Sequence, residues 1–343
     1  MARPSRQRNA PSTATALQQG LVVSSHGRHS VIECPDGSRR IVHPRGKKNQ
    51  AVVGDRIAWA AQPEGQGDDG TIERVEERRN LFYRQDEMRT KAFAANIDQV
   101  LVWLAAEPEF SHKLLARALI AAEAAHIPPL IVLNKSDLGE LHARGWERLA
   151  PYRAMGYPVL GLSLADAEHH PDDAALQALR QALHGKATLV LGPSGTGKST
   201  LINWLLPGAN VQTGEISQAL NSGKHTTTST HWYWIVRDSQ TAVIDSPGFQ
   251  EFGLHHVQPT DLASYMPDLR QHVAQCKFYN CTHLHEPGCG VLAQVGAPLA
   301  EGGVHPLRHK FYAELFAERV ADERYRTDRK RAVSSSVLCC RIS

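Results

Sequence analysis

Between about residue 17 and residue 91, short apolar runs are separated by turn residues: Gly20-Leu-Val-Val, Ser30-Val-Ile-Glu-Cys, Arg40-Ile-Val-His, Val53-Gly-Asp-Arg-Ile-Ala-Trp and Gly70-Thr-Ile-Glu-Arg-Val, with Pro35-Asp-Gly as one of the turns. Short strands at this spacing predict a small closed β-barrel. A barrel of OB type fits, with nucleic acid as its commonest ligand; an SH3-type barrel with a structural role is the alternative. From about residue 96 the pattern changes to continuous apolar runs alternating with amphipathic ones. Strands are expected at Asp98–Leu104, Pro129–Leu133, Tyr157–Leu162, Ala187–Leu191 and 240–244, and helices at 111–126, 138–154 and 172–184. Runs of four to eight apolar residues between helical stretches predict a doubly wound parallel sheet, whose ligands sit at the carboxyl ends of its strands. After about residue 258 the strand rhythm stops, and a charge-rich helical pattern runs from 306 to 331.

The chain has 343 residues, 42% hydrophobic and 21% charged, enough for two or three cores. Asp98 and Glu107 bracket the apolar run 99–106 and Glu123 interrupts the next, so no segment has the length of a membrane span. The net charge is only +3, yet residues 1–50 hold nine Lys/Arg against two Asp/Glu. That local excess suits a polyanionic partner or a solvated basic face. Residues 1–16, with Arg3, Arg6 and Arg8 and no acid, are expected to be a disordered arm; Pro4 and Pro11 speak against the amphipathic helix of a transit peptide.

Candidate chemistry lies where the strands end. The strand 187–191 runs into Gly192-Pro193-Ser194-Gly195-Thr196-Gly197-Lys198-Ser199-Thr200, a full GxxxxGK[ST] string in its strand–loop–helix setting. The glycines let backbone N–H groups face a phosphate chain at a helix N-terminus; Lys198 is expected at the β- and γ-phosphates and Ser199 on Mg²⁺. The strand 129–133 ends in Asn134-Lys135-Ser136-Asp137. A carboxylate there accepts from both N1–H and the exocyclic amine of guanine, an edge adenine lacks, while Asn134 meets the other side of the purine and the Lys135 stem lies along the ring. Read alone, the same four residues would merely cap a helix. Ser163, in Gly161-Leu-Ser-Leu-Ala, falls where a second base-contacting loop is expected.

The strand 240–244 leads to Asp245-Ser-Pro-Gly248, an acid that reaches Mg²⁺ through water and a glycine amide for the γ-phosphate. Ahead of it lies Gly223-Lys-His-Thr-Thr-Thr-Ser-Thr, a candidate switch loop in which one of Thr226, Thr227 or Thr228 contacts Mg²⁺ and the γ-phosphate. Of these Thr228 is taken as the candidate; the alternative is that the threonines lead into a strand at His231-Trp-Tyr-Trp. The residue after Gly248 is Phe249, where many GTPases carry the glutamine that orients the attacking water. His225 is the first candidate to replace it and His231 the second. Base recognition precedes the phosphate loop, so the order of motifs is circularly permuted.

Six cysteines stand at 34, 276, 281, 289, 339 and 340. Cys276-x4-Cys281-x-His283-x5-Cys289 brings three thiolates and an imidazole to one closed tetrahedral Zn²⁺ site, with His285 as the alternative imidazole. Taken together, the barrel, the Asn134–Asp137 string, Gly192–Thr200, the His-Thr-Thr-Thr switch, Asp245-Ser-Pro-Gly-Phe-Gln-Glu-Phe-Gly and the Cys/His set resemble the circularly permuted family of the ribosome small subunit-dependent GTPase A over about residues 17–330. The resemblance implies a bacterial cytoplasmic GTP hydrolase, acting in late maturation of the small ribosomal subunit. Its barrel and zinc module would hold 16S rRNA, and the subunit would stimulate turnover. The expected fold is therefore multi-domain: arm 1–16, OB barrel 17–92, an α/β P-loop GTPase domain over 93–257, a helical zinc-binding module over 258–332 and a disordered tail 333–343. GTP or GDP, Mg²⁺ and one structural Zn²⁺ are the expected cofactors, and a monomer without membrane contact the expected state. Two competing readings are a P-loop ATPase or nucleotide kinase and a GTP-gated RNA-binding protein without turnover.

Overall fold

The computed structural model describes residues 17–27, 29–46, 50–61, 69–86, 90–165, 167, 170, 172–207, 230–248 and 251–339, with side chains as far as Glu323. The chain divides into two compact units between Glu77 and Arg78.

The first unit is a five-stranded barrel: β1 (Gln18–Ser25), β2 (Ser30–Glu33), β3 (Arg39–Pro44), β4 (Arg56–Ala61) and β5 (Gly70–Val75). The strands run in the order β1-β2-β3-β5-β4, and β4 returns to pair antiparallel with β1, Gln18 opposite Trp59 and Leu21 opposite Arg56. Only β3 and β5 are parallel. Inward residues Val22, Ile32, Val42, Ile57, Trp59 and Ile72 fill the interior, each contributing about 1.5–3 kcal/mol by leaving water. The expected OB-type closure is present. The strands that make it end at Val75, however, short of the span of 17–92 read from the sequence.

The second unit opens with an antiparallel hairpin, β6 (Leu81–Gln85) and β7 (Thr90–Ala95). It follows the barrel in sequence but packs by Phe82 and Phe93 on Phe252, with ring centres 5.8 and 6.1 Å away. The apolar faces of these two strands find their partner only after the third domain motif has passed.

The central sheet then assembles from β8 (Gln99–Ala105), α1 (His112–Ala124), β9 (Pro129–Asn134), α2 (Glu140–Arg148), α3 (Ala150–Ala154), β10 (Val159–Gly161), α4 (Ala174–Leu183), β11 (Ala187–Leu191), α5 (Lys198–Leu205), β12 (His231–Val236) and β13 (Thr241–Asp245). Spatial order is β10-β9-β8-β11-β13-β12, all parallel except β12. The strands β8, β9, β11 and β13 are buried along their whole length, which is why they read as unbroken apolar runs. Asp173 starts α4 by accepting from the amides of Ala175 and Leu176. Because β9, β11 and β13 are parallel, their carboxyl ends, at Asn134, Leu191 and Asp245, open on one edge.

Among the described residues three α-helices follow, α6 (Pro267–Val273), α7 (Gly290–Ala293) and α8 (Pro306–Cys339). The tail expected to be disordered from 333 is helical as far as Cys339, a continuation of α8 with no proline or glycine to stop it. Near its start Arg308, 3% exposed, forms a two-pronged ion pair with Asp268, 5% exposed, at 3.0 and 3.1 Å. No helix among the described residues is long and apolar enough to cross a membrane.

Candidate functional site

The phosphate loop leaves β11 tightly against β8. A Cβ on Gly192 would stand 2.2 Å from the carbonyl oxygen of Trp103, so only glycine allows this approach. Gly197 has φ +92° and caps α5; a Cβ there would lie 2.8 Å from Asn134 Nδ2. Inside the loop, the Thr196 hydroxyl donates to Pro193 O at 2.9 Å. Lys198 Nζ donates to the carbonyls of Gly192 and Pro193, both at 2.7 Å. Burial lowers the pKa of Lys198 and Asp245 pulls it back up.

The third motif meets the first. Asp245 is 2% exposed at the end of β13, and the Ser246 hydroxyl donates to Val190 O at 2.6 Å, tying that end to β11. A Cβ on Gly248 would be 3.3 Å from Lys198 Nζ and 3.4 Å from Ser194 N, so this backbone lies over the loop. Ser199 sits half-buried in the first turn of α5, and Thr200 beside it is exposed.

The Asn134–Asp137 string is wired to the same loop. Asn134, 4% exposed, donates through Nδ2 to Thr196 O at 3.0 Å, which leaves the second amide proton for an acceptor on a purine. Its Oδ1 is buried without a hydrogen-bond partner among the described residues. Trp103 Nε1 donates to the same Thr196 oxygen at 2.9 Å. Lys135 adopts φ +68° and its ammonium donates to Glu107 O at 2.5 Å. The amide of Ser136 donates to Leu162 O at 3.0 Å, bringing the next loop close. There the Ser163 hydroxyl donates to Asp137 Oδ1 and accepts from Ala165 N at 3.2 Å. The glycine cradle, the lysine within it and the Asn/Asp pair together fit a guanine nucleotide in their donor and acceptor chemistry.

Trp103 was not legible as a site residue, since in sequence it is one more apolar position of a buried strand. The switch loop with His225, Thr226, Thr227 and Thr228, and also Phe249, lies outside the described residues. The strand β12 does begin at His231. Past Gly248, Phe252 is buried with Phe82 and Phe93, and His255 Nδ1 lies 3.3 Å from Asp322 Oδ2 on α8. Arg117 of α1 reaches both Phe252 O, at 3.3 Å, and Glu318 of α8. The segment leaving the phosphate site is thereby joined to the last helix, a link between residues 67 positions apart that no local pattern announces.

Cys276, Cys281, His283 and Cys289 converge, with all four ligand atoms within 4.8 Å of one another. Cys276 Sγ is 3.8 Å from Cys289 Sγ, and His283 Nδ1 is 3.4 and 3.5 Å from these two sulfurs. A tetrahedron built on Zn–S bonds of about 2.3 Å has edges of about 3.8 Å, so the donors fit zinc, and the sulfurs are far beyond disulfide distance. His283 is 5% exposed whereas His285 is exposed and outside the cluster, which decides between the two imidazoles. The helix α8 braces this loop: Tyr312 Oη donates to Thr282 O at 2.7 Å, and His309 Nε2 lies 2.8 Å from His283 O.

Comparison with known proteins agrees with this geometry. The profile of the family described as RsgA GTPase matches residues 75–255. A protein named Small ribosomal subunit biogenesis GTPase RsgA from Variovorax paradoxus (strain S110) is 61% identical over 95% of this chain and 100% of its own length. One of the same name from Burkholderia pseudomallei (strain K96243) is 50% identical over 88% and 92%. Among solved structures, YjeQ from Thermotoga maritima aligns with a TM-score of 0.67 and 28% identity over 89% of this chain and 99% of that one. YloQ, described as a circularly permuted GTPase, aligns at 0.62 and shares the fold at 24% identity, over 91% of this chain and 98% of its own. With its permuted motif order, its P-loop sheet and this coverage, the chain belongs to the RsgA GTPase family, a family of GTP hydrolases.

Proposed function

We propose that this protein hydrolyses GTP to GDP and phosphate as a maturation factor of the small ribosomal subunit in the bacterial cytoplasm, contacting 16S rRNA and gaining turnover from that contact. The observation that carries the nucleotide half of this reading is the junction at Thr196 O. There the guanine-reading Asn134 and the phosphate loop share one hydrogen-bond network. The names of the relatives carry the ribosomal half.

In this reading Asp137 accepts from the guanine edge, with Ser163 holding its carboxylate, and Lys135 lies along the base. The backbone N–H groups of residues 194–197 line the phosphates and Lys198 neutralises the charge that builds between the β- and γ-phosphates. Ser199 and Thr228 would ligate Mg²⁺, with Asp245 supporting them, and a bound ion would supply charge neutralisation at the phosphate oxygens. Gly248 presents its amide to the γ-phosphate. Phe249 has no group to orient water, so His225 takes that part once a partner orders the switch. Cys276, Cys281, His283 and Cys289 would hold one Zn²⁺ as a closed structural centre. The contacts of His255 and Arg117 with α8 offer a route by which nucleotide state reaches the zinc module.

Phosphate release from GTP and ATP, measured alone and with isolated small or large subunits, tests the proposal. Stimulation of GTP hydrolysis by the small subunit alone is expected. Equal use of ATP would instead point to a P-loop ATPase, and GTP binding without turnover would point to a GTP-gated binding protein. In the same assay, unchanged stimulated turnover in His225→Ala would remove that residue from the mechanism.

A further inference from the structure

The four residues between the first two cluster cysteines, Lys277-Phe278-Tyr279-Asn280, serve neither nucleotide nor metal. Tyr279 is wholly exposed, at 103%, and Phe278 is 41% exposed. Seven large apolar side chains stand out into solvent among the described residues; two of them, Phe278 and Tyr279, lie in this stretch and a third, Val273, lies four residues before it. A single exposed apolar residue needs no explanation, but a cluster that includes an entire aromatic ring marks a contact surface. The loop is also firmly mounted. Cys276 and Cys281 flank it, Lys277 N donates to Gly288 O at 3.0 Å, and Cys281 N donates to Phe278 O at 3.3 Å.

Charge indicates what the surface fits. From Leu269 to His285 the chain carries Arg270 and Lys277 and no acid. Arg270 is engaged by Glu123 at 3.2 Å, whereas Lys277 meets no acid among the described residues and holds its ammonium 5.5 Å from the Phe278 ring centre. The next acid, Glu286, is turned inward onto Thr282 N and Oγ1 and the amides of Leu284 and His285. The open Tyr279 ring, beside a half-exposed Phe278 and a cation that meets no acid among the described residues, matches an unpaired nucleic-acid base and its phosphate, because every base offers a π-face for stacking.

We propose that Tyr279 and Phe278 form a stacking platform for an unpaired RNA base, with Lys277 placed on the adjoining phosphate. This deepens the ribosomal reading above and rests on it for the source of the RNA. The test compares the native chain with Tyr279→Ala, Tyr279→Phe and Tyr279→Leu in binding a short fluorescently labelled oligoadenylate and in co-sedimenting with isolated small subunits. Zinc content and thermal midpoint serve as the folding control. Loss of one stacked base is expected to weaken oligoadenylate binding by roughly 5- to 150-fold in Tyr279→Ala and equally in Tyr279→Leu, while Tyr279→Phe stays within about twofold. Equal binding by Tyr279→Ala and the native chain overturns the platform. So does full binding by Tyr279→Leu, because an aliphatic side chain has no ring to stack on a base. If the native chain ignores small subunits but binds oligoadenylate through Tyr279, the ribosomal reading falls and the stacking platform stands.

Discussion

Guanine and adenine differ at the edge that Asp137 is placed to meet, and one side chain is enough to test which is read. Replacing the carboxylate by an amide in Asp137→Asn puts a donor where two acceptors are needed and leaves the guanine amine unpaired. GTP affinity is expected to fall roughly 10- to 100-fold. Xanthine carries an oxygen in place of that amine, so the same variant should gain affinity for xanthosine triphosphate. Titration with fluorescent analogues of both nucleotides decides it, and unchanged GTP binding would show that Asp137 does not read the base. The four-residue string was legible because all its chemistry is contiguous. Its anchoring was not: Asn134 and Trp103 both donate to Thr196 O, from 62 and 93 residues away in sequence, and only the packing of β9, β8 and β11 side by side joins them.

Among the elements, α8 depends on two devices of different kind. The Arg308–Asp268 pair is buried, so Asp268→Ala would strand a guanidinium without its counter-charge, at a cost of about 3–5 kcal/mol in chemical denaturation. The loop of the Cys276/Cys281/His283/Cys289 cluster, proposed to hold zinc, is the second device. The chain as purified should carry one zinc per molecule by elemental analysis. Removing it with a chelator should free the brace that Tyr312 and His309 make with residues 282 and 283. Loss of helical signal and a lower thermal midpoint are expected; a chelated protein that melts like the native one would exclude a structural ion. The cysteine spacing announced this site, but the choice of His283 over His285 required the backbone turn at His283, where φ is +60°.

At the scale of the molecule, two half-buried histidines are expected to set an acid limit on stability. Burial and then Arg148 lower the pKa of His112 to about 4, and burial followed by Arg319 does the same to His256. Both stay neutral in the fold, whereas in the unfolded chain each takes a proton near its ordinary value of about 6.5. Below that value the unfolded state binds more protons, so stability should decline as pH falls from about 6.5 towards 4. Urea midpoints across this range should show the decline, with a shallower slope in His112→Asn. A variant with an unchanged slope would remove His112 as a contributor.

What the sequence determined by itself was whatever contiguous residues encode: the glycine-rich loop, the Asn134–Asp137 string, the spacing of the Cys/His cluster, the buried parallel strands and the permuted order of motifs. Period and spacing carry such features because each is made within one turn, strand or loop. The tertiary structure alone decided the pairings between distant segments. β4 closes on β1 to complete the barrel, and the 81–95 hairpin packs on Phe252 in the second unit. Gly248 comes to rest over the phosphate loop, and α8 gathers His255 and Asp268. Each of these contacts exists because an apolar face or a buried charge has to find a partner, and which partner it finds depends on what the rest of the chain has left uncovered.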